Sequence, residues 1–519
     1  MFFSKQKIFL GILVTGITLI FFSGSASSFK SYSQISSFEE PSSLMPQTET
    51  VTSYYDALLK APLIVSQTAI VGVVFSYIFF QRVIRNHFPL THNRDNPNTV
   101  IPDDTSYLCP LRRLLIILLS CGIAVPLSAT SLFLLQTLSL SSELGIDIST
   151  TFTILSSTPV GPVWNIRVVT SLIIIASSII YYIFERKSSI KSQIDLESND
   201  SSYSPSYKKI GKKRSVLANS LLYIIILAGA VSIFSNSMVS HNTALSFFPS
   251  LAISVDWLHF MAVSIWLGGL FYIASILLMT ISLSIKKYGN IGETVSKSFD
   301  VDTVHDTSYF LALLLPYFSL IATISLGMIG VTGLYMAWIH LHTAEAIFTS
   351  SYGNILAIKL LLILPMVILG GYHQINLHRN LITVANLSKY GQKQQAENIN
   401  DSMESSNYRK RSTFPLHYDP SEKFSKTIKI ESLIGIGVLV AASFLTITSP
   451  PSISLQESMT TQGLLVDDSQ QDYVPSLDSF TILAIILSLA VIFGSIIYFK
   501  KSKQQVRNTV DYLEGLSNK

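Results

Sequence analysis

SNSMVSHNTALSFFPSLAISVDWLHFMAVSIWLGGL, residues 235–270, decides how the rest of the chain is read. From about Pro249 it is apolar enough to cross a bilayer, and it must do so as a helix that satisfies its own backbone. Yet Asp256 and His259 stand among its first residues. Three positions apart, they share a helix face, and Trp266 continues the same stripe two turns further on. His241 precedes the helix in a short polar segment. Ionisable groups in a membrane helix are costly, so they turn toward the protein interior and mark functional positions.

The whole chain supports a membrane reading. Of 519 residues, 49% are apolar and 13% charged, against about 25% charged in a soluble domain. The net charge of +4 matters less than the side on which the charges fall. Basic runs occupy short loops without interleaved aromatics, so nucleic acid is not a partner and the lipid bilayer is. Cys109 and Cys121 fall on one expected helix, about 18 Å apart at the helical rise, and cannot bridge. No CxxC pair exists.

Residues 1–26 read as a signal peptide, with an uncleaved anchor as the alternative: Lys5 and Lys7, an apolar run from Ile8 to Phe22, then small residues. Residues 27–61 read as a polar, Ser-rich extracytoplasmic linker. Spanning segments follow near 62–84, 111–138, 162–184, 216–234, 250–283, 310–339, 354–375, 430–448 and 479–499. Lys and Arg crowd into alternate loops and the C-terminal tail, while 139–161, 235–249, 340–353 and 449–478 contain neither. The positive-inside tendency makes the basic set cytoplasmic. The expected fold is therefore all-α: a polytopic membrane helical bundle of about eight core helices plus a ninth at 479–519, with its basic tail. Residues 452–478 form an acidic outer loop, and 378–427 a polar cytoplasmic one. His241, Asp256, His259, His340 and His342 all fall at or near the outer face of a plasma-membrane protein.

An internal echo suggests two related halves. Thr158 to Arg167 opens the third span and Ser350 to Lys359 the seventh, each with a glycine followed six residues later by a cation. Such repeats mark many transport folds. Arg167 and Lys359 can attract anions or tie helices together; snorkelling to headgroups is the simpler reading.

Imidazole suits copper or zinc, where calcium and magnesium want oxygen. His241 and His259 can approach one ion, with Asp256 as ligand or orienter and Met238 and Met261 as nearby thioethers for Cu(I). The plainer alternative pairs Asp256 with His259 as a satisfied polar spot and leaves His241 solvated. His340 and His342 end a glycine-spaced helix that carries Trp338; two apart, they point apart in a regular helix and converge only at a frayed end. His373 and the cluster Asp300, Asp302, His305 and Asp306 are candidates for an inner exit site, the cluster reading equally as a solvated loop.

His241, then Asp256-Trp257-Leu258-His259, then Trp266-Leu267-Gly268-Gly269 resembles the signature of the copper resistance protein D family (CopD). So do Gly333 to Trp338, Tyr352-Gly353 with Lys359, and Lys429-Ile-Glu431 leading to Thr448-Ser-Pro-Pro451. The likeness covers 62–451, most closely 216–451. It implies an eight-helix membrane protein that moves copper, often beside an extracytoplasmic copper-binding partner. His241, Asp256 and His259 are the positions it points to, with His340 matched less closely and His342 outside the motif. This chain departs from the family in carrying His373-Gln374 where an Asn-Arg pair is expected, in lacking a fused carrier domain, and in its ninth span. A separate extracytoplasmic copper carrier is then the expected partner. No P-loop or phosphorylated-Asp signature is present, so the chain reads as a non-enzyme whose transport is passive or gradient-coupled. The reading is a copper transport, homeostasis or resistance protein with a copper ion, Cu(I) or Cu(II), as its metal. The alternatives are a haem-binding redox protein, His259 facing His340 across the iron, and a copper sensor or assembly factor without transport.

Overall fold

The computed structural model describes residues 51–87, 105–197, 205–244, 249–278, 299–341, 343–381 and 420–452, with isolated positions between 486 and 508. From Thr52 onward they belong to one compact unit. In chain order the helices are α1 (Val51–His87), α2 (Thr105–Leu144), α3 (Ile148–Ser157), α4 (Val160–Glu197), α5 (Pro205–Ser237), α6 (Pro249–Tyr272), α7 (Phe299–Leu341), α8 (Ala346–Thr349), α9 (Ser351–Tyr372) and α10 (Pro420–Leu445). A 3₁₀ turn, His241–Ala244, leads into α6, and π-helical turns extend α6 (Ile273–Leu277) and α9 (His373–Leu377). No strand occurs among the described residues.

Eight of these helices are long and apolar enough to cross a membrane: α1, α2, α4, α5, α6, α7, α9 and α10. The protein is thus a polytopic helical bundle, as the hydropathy pattern expects. The acidic loop beyond residue 452, the signal segment and His342 lie outside the described residues, and of the ninth span only isolated positions are described. One boundary moves. Helix α1 begins at Val51, inside the segment read as linker, because Ala57, Ala61 and Leu63 pack into the bundle. Asp56 and Lys60 therefore ride on the outer turns of a spanning helix.

Burial separates centre from rim. In the most apolar stretches of α1 and α6, 78% of residues are buried, against 6% in α9. Leu361, Leu364 and Ile368 of α9 are left facing outward, where lipid replaces water as the apolar solvent. Helix α4 packs against α2 and α5, α6 against α7, and α9 against α10.

The central pair touches backbone to backbone. A Cβ on Gly72 of α1 would fall onto the Ser264 carbonyl oxygen of α6, and one on Gly268 would fall onto the Gly72 Cα. The first glycine of the Trp266-Leu267-Gly268-Gly269 run is therefore a packing requirement, of the small-residue kind that lets membrane helices approach closely.

The two echoed segments are built alike. Each opens its helix directly after a short outer helix, α3 or α8, and a Cβ on Gly161 or Gly353 would strike that helix's backbone carbonyls. Ser350 caps α9 by accepting from the Gly353 N–H. The cations that follow do not snorkel equally. Arg167 is 7% exposed; its Nε donates to Ser235 Oγ at 3.1 Å and its Nη2 to Asn236 Oδ1 at 2.9 Å. Asn236 Nδ2 in turn donates to Gln67 Oε1, and Gln67 Nε2 to Ser232. This network ties α4, α5 and α1 together, so the snorkelling expectation for Arg167 gives way to a buried clamp.

Candidate functional site

Polar side chains from several elements meet in a cavity of about 90 Å³ at the end of the bundle formed by the Lys- and Arg-free loops. That is room for several waters or a small ion. His241 comes from the 3₁₀ turn, Asp256 and His259 from α6, His340 from α7, Tyr352 and Lys359 from α9, and Lys60 from α1. Four of the five sequence candidates thus share one space, although no group of three or more His, Cys, Asp or Glu side chains lies at metal-binding spacing among the described residues.

The residues of the Asp256-Trp257-Leu258-His259 stretch divide their work. Trp257 Nε1 donates to the Ala230 carbonyl at 3.1 Å and its ring meets Phe234 edge-on, pinning α6 to α5. That turns Asp256 and His259 inward, where both are buried. Asp256 lies within reach of the Ser237 hydroxyl, and the charges of Lys359 and Lys60 bear on it.

His259 is anchored through Nδ1. That nitrogen lies 2.9 Å from Thr332 Oγ1, a hydroxyl that also lies 2.6 Å from the Met328 carbonyl oxygen. With the hydroxyl proton on that carbonyl, Thr332 accepts from His259 Nδ1–H and Nε2 keeps its lone pair. His259 Nε2 is buried and has no hydrogen-bond partner among the described residues, and His241 Nε2 is in the same state. A buried, unpaired acceptor is expensive unless something fills it. His340 differs: its Nε2 lies 3.0 Å from Asn242 Oδ1 and its ring packs edge-on to Tyr352, so it is already engaged in holding the 3₁₀ turn to α7.

The wall carries two ammonium groups, Lys60 and Lys359, to one carboxylate, Asp256. Beside these stand imidazole and thioether donors, which are of the type that suits copper. The thioethers on the wall are Met336 and Met366; Met238 and Met261, the expected ones, are not part of it.

Sequence reading missed Lys60, Asn236 and Asn242, and took Tyr352 only as part of the family resemblance. Of the three missed, only Lys60 left a trace, as a cation beside a span on the face whose later loops have none. The residues Asp300, Asp302, His305 and Asp306 fall on the first turns of α7, their side chains outside the described set. His373 lies at the opposite end of α9 from the cavity.

Burial, then the Lys60 charge, lowers the proton affinity of His241 from the ordinary 6.5, against a hydrogen bond with the Thr448 backbone that acts the other way. The folded state therefore favours the neutral ring. Its stability is full above about pH 6.5 and declines as pH falls from there through the depressed value, because the unfolded chain gains the proton first. Thermal unfolding of the copper-free protein from pH 8 to pH 5 should show this acid sensitivity reduced in His241→Gln; an unchanged profile would place His241 in water.

No curated protein and no solved structure matches the chain. A family model described as copper resistance protein D, CopD, matches residues 312–403, a stretch that includes most of α7, all of α8 and α9, and with them His340, Tyr352, Lys359 and His373. That match covers less than a fifth of the chain; over it, on a bundle of eight helices long and apolar enough to cross a membrane, the chain is similar to copper resistance protein D.

Proposed function

We propose that the protein takes up copper at the outer face of the cell membrane and passes it inward between helices. The observation that carries this reading is the pair of buried imidazole nitrogens without hydrogen-bond partners among the described residues, His241 Nε2 and His259 Nε2, on the wall of one polar cavity. His241 is the capturing ligand, His259 the ligand at the mouth, and Asp256 the counter-charge. Met336 and Met366 line the deeper wall with thioethers suited to Cu(I). His340 orients the 3₁₀ turn through Asn242, and His342 follows it in sequence as a further candidate ligand. The positive-inside pattern places this mouth outside, where a separate copper carrier can reach it.

A cavity of about 90 Å³ favours an ion over a porphyrin, since sites for ligands of that size begin at roughly 300 Å³. The test is the absorption spectrum and metal content of the full-length protein in detergent, before and after copper is added. Stoichiometric copper without a Soret band is the expected result. A Soret band in the protein as isolated would overturn it in favour of haem. Copper binding without uptake into liposomes would favour a sensor or assembly factor.

A further inference from the structure

The outer cavity carries a surplus of positive charge. Lys60 of α1 and Lys359 of α9 line it, and among the described residues Asp256 is the one carboxylate on its wall. The Lys60 and Lys359 charges both act on Asp256, and that of Lys359 acts on His259 as well, so these groups share one electrostatic space. Two further charges reach Lys60 from beyond the wall, Arg167 and Asp56, of opposite sign. They offset one another and leave a single positive charge unbalanced. No ion pair among the described residues takes it up: those present join His373 to Glu431, at the other end of α9, and Lys426 to Glu422. An unbalanced charge within a membrane protein is costly, and a cavity lined by one sign of charge concentrates the opposite ion.

We propose that Lys60 and Lys359 form an anion subsite in this cavity, and that copper is taken there as a neutral pair, Cu(I) with one halide. The pairing with copper rests on the uptake reading above; the anion subsite itself does not. Bare Cu(I) on imidazole and thioether donors, all of them neutral, would add a second positive charge beside two ammonium groups. A neutral pair leaves the charge of the cavity as it was before binding, which removes that repulsion. The donor set points the same way. No group of three or more His, Cys, Asp or Glu side chains lies at metal-binding spacing among the described residues, so a ligand that arrives with the ion completes a shell the side chains leave short. A halide suits both neighbours, because it accepts hydrogen bonds from ammonium groups and is a polarizable donor for a soft metal ion. The cavity, at about 90 Å³, has room for a second small ion, since one water takes roughly 30 Å³.

Chloride NMR linewidths of the copper-free, full-length protein in detergent test the subsite. Broadening that saturates with chloride is expected in the wild type and lost in Lys60→Gln and Lys359→Gln. Asp256→Asn, which removes the competing carboxylate, should bind chloride more tightly than wild type, a gain that misfolding does not produce. No saturable broadening in the wild type, full broadening in both glutamine variants, or no gain in Asp256→Asn would each overturn the subsite. Acetate that displaces chloride at equal concentration would overturn the halide in favour of a carboxylate. Copper retention, at one free Cu(I) level set by a competing chelator, separates the two readings. Wild type should hold copper at least about 10-fold more tightly in sodium chloride than in sodium methanesulfonate of the same ionic strength, and the glutamine variants equally in both. Equal retention by the wild type in both salts would overturn the neutral pair and leave the copper site standing. A wild type that binds chloride through Lys60 and Lys359 but holds no copper would overturn copper uptake and uphold the anion subsite.

Discussion

His259→Ala is expected to weaken copper binding by at least about 100-fold, beyond what altered supporting shells usually cost, while the protein still inserts and keeps its helical content. The argument is the lone pair. His259 Nε2 is buried on the cavity wall without a hydrogen-bond partner among the described residues, while Nδ1 is anchored 2.9 Å from Thr332 Oγ1. Thr332→Val should fall between wild type and His259→Ala, about 10- to 100-fold weaker than wild type, because the ring stays and only its orientation is released. Titration calorimetry on full-length protein measures both. If His259→Ala binds copper as tightly as wild type, His259 is a packed histidine and the site must be sought elsewhere.

The largest effect on stability is expected at the crossing of α1 and α6. Gly72→Ala and Gly268→Ala each place a methyl group onto the facing backbone, and backbone, unlike a side-chain tip, cannot swing aside. Overpacking of this kind costs roughly 1–3 kcal/mol and sometimes more, and here it would part the two central helices. The outer cavity should suffer with them, since Lys60 and Ile64 on α1 face Asp256 and His259 on α6 across it. Gly371→Ala is the control: a Cβ there meets nothing within 4 Å, and alanine is the better helix former. Thermal unfolding in detergent should show a lowered midpoint for the two crossing variants and an unchanged or raised one for Gly371→Ala. Equal midpoints in all three would mean that α1 and α6 do not cross at these glycines.

Much of the architecture was legible from hydropathy and charge, because a bilayer imposes one length, one backbone solution and one charge asymmetry on every span. The inward face of α6 was legible too, since Asp256 and His259 are costly anywhere but inside. Helix periodicity can place such residues on one stripe and no more. Which stripes from distant helices meet depends on where glycines allow backbones to touch, and Gly72 gives no sign in sequence that its partner is Gly268. The same limit hid Lys60, whose polar neighbours resembled a linker until packing of Ala57 and Ala61 drew them into helix. It also hid the clamp on Arg167, whose partners Ser235 and Asn236 lie in a different helix.

The sequence by itself determined an all-helical membrane bundle and the chemical types gathered near the end whose loops carry no Lys or Arg. Only the tertiary structure decided that His241, Asp256, His259 and His340 share one cavity with Lys60 and Lys359, and that His373 finds Glu431. Those are contacts between helices, set by side-chain volume and hydrogen-bond direction across gaps of a few ångströms, and no one-dimensional period encodes them.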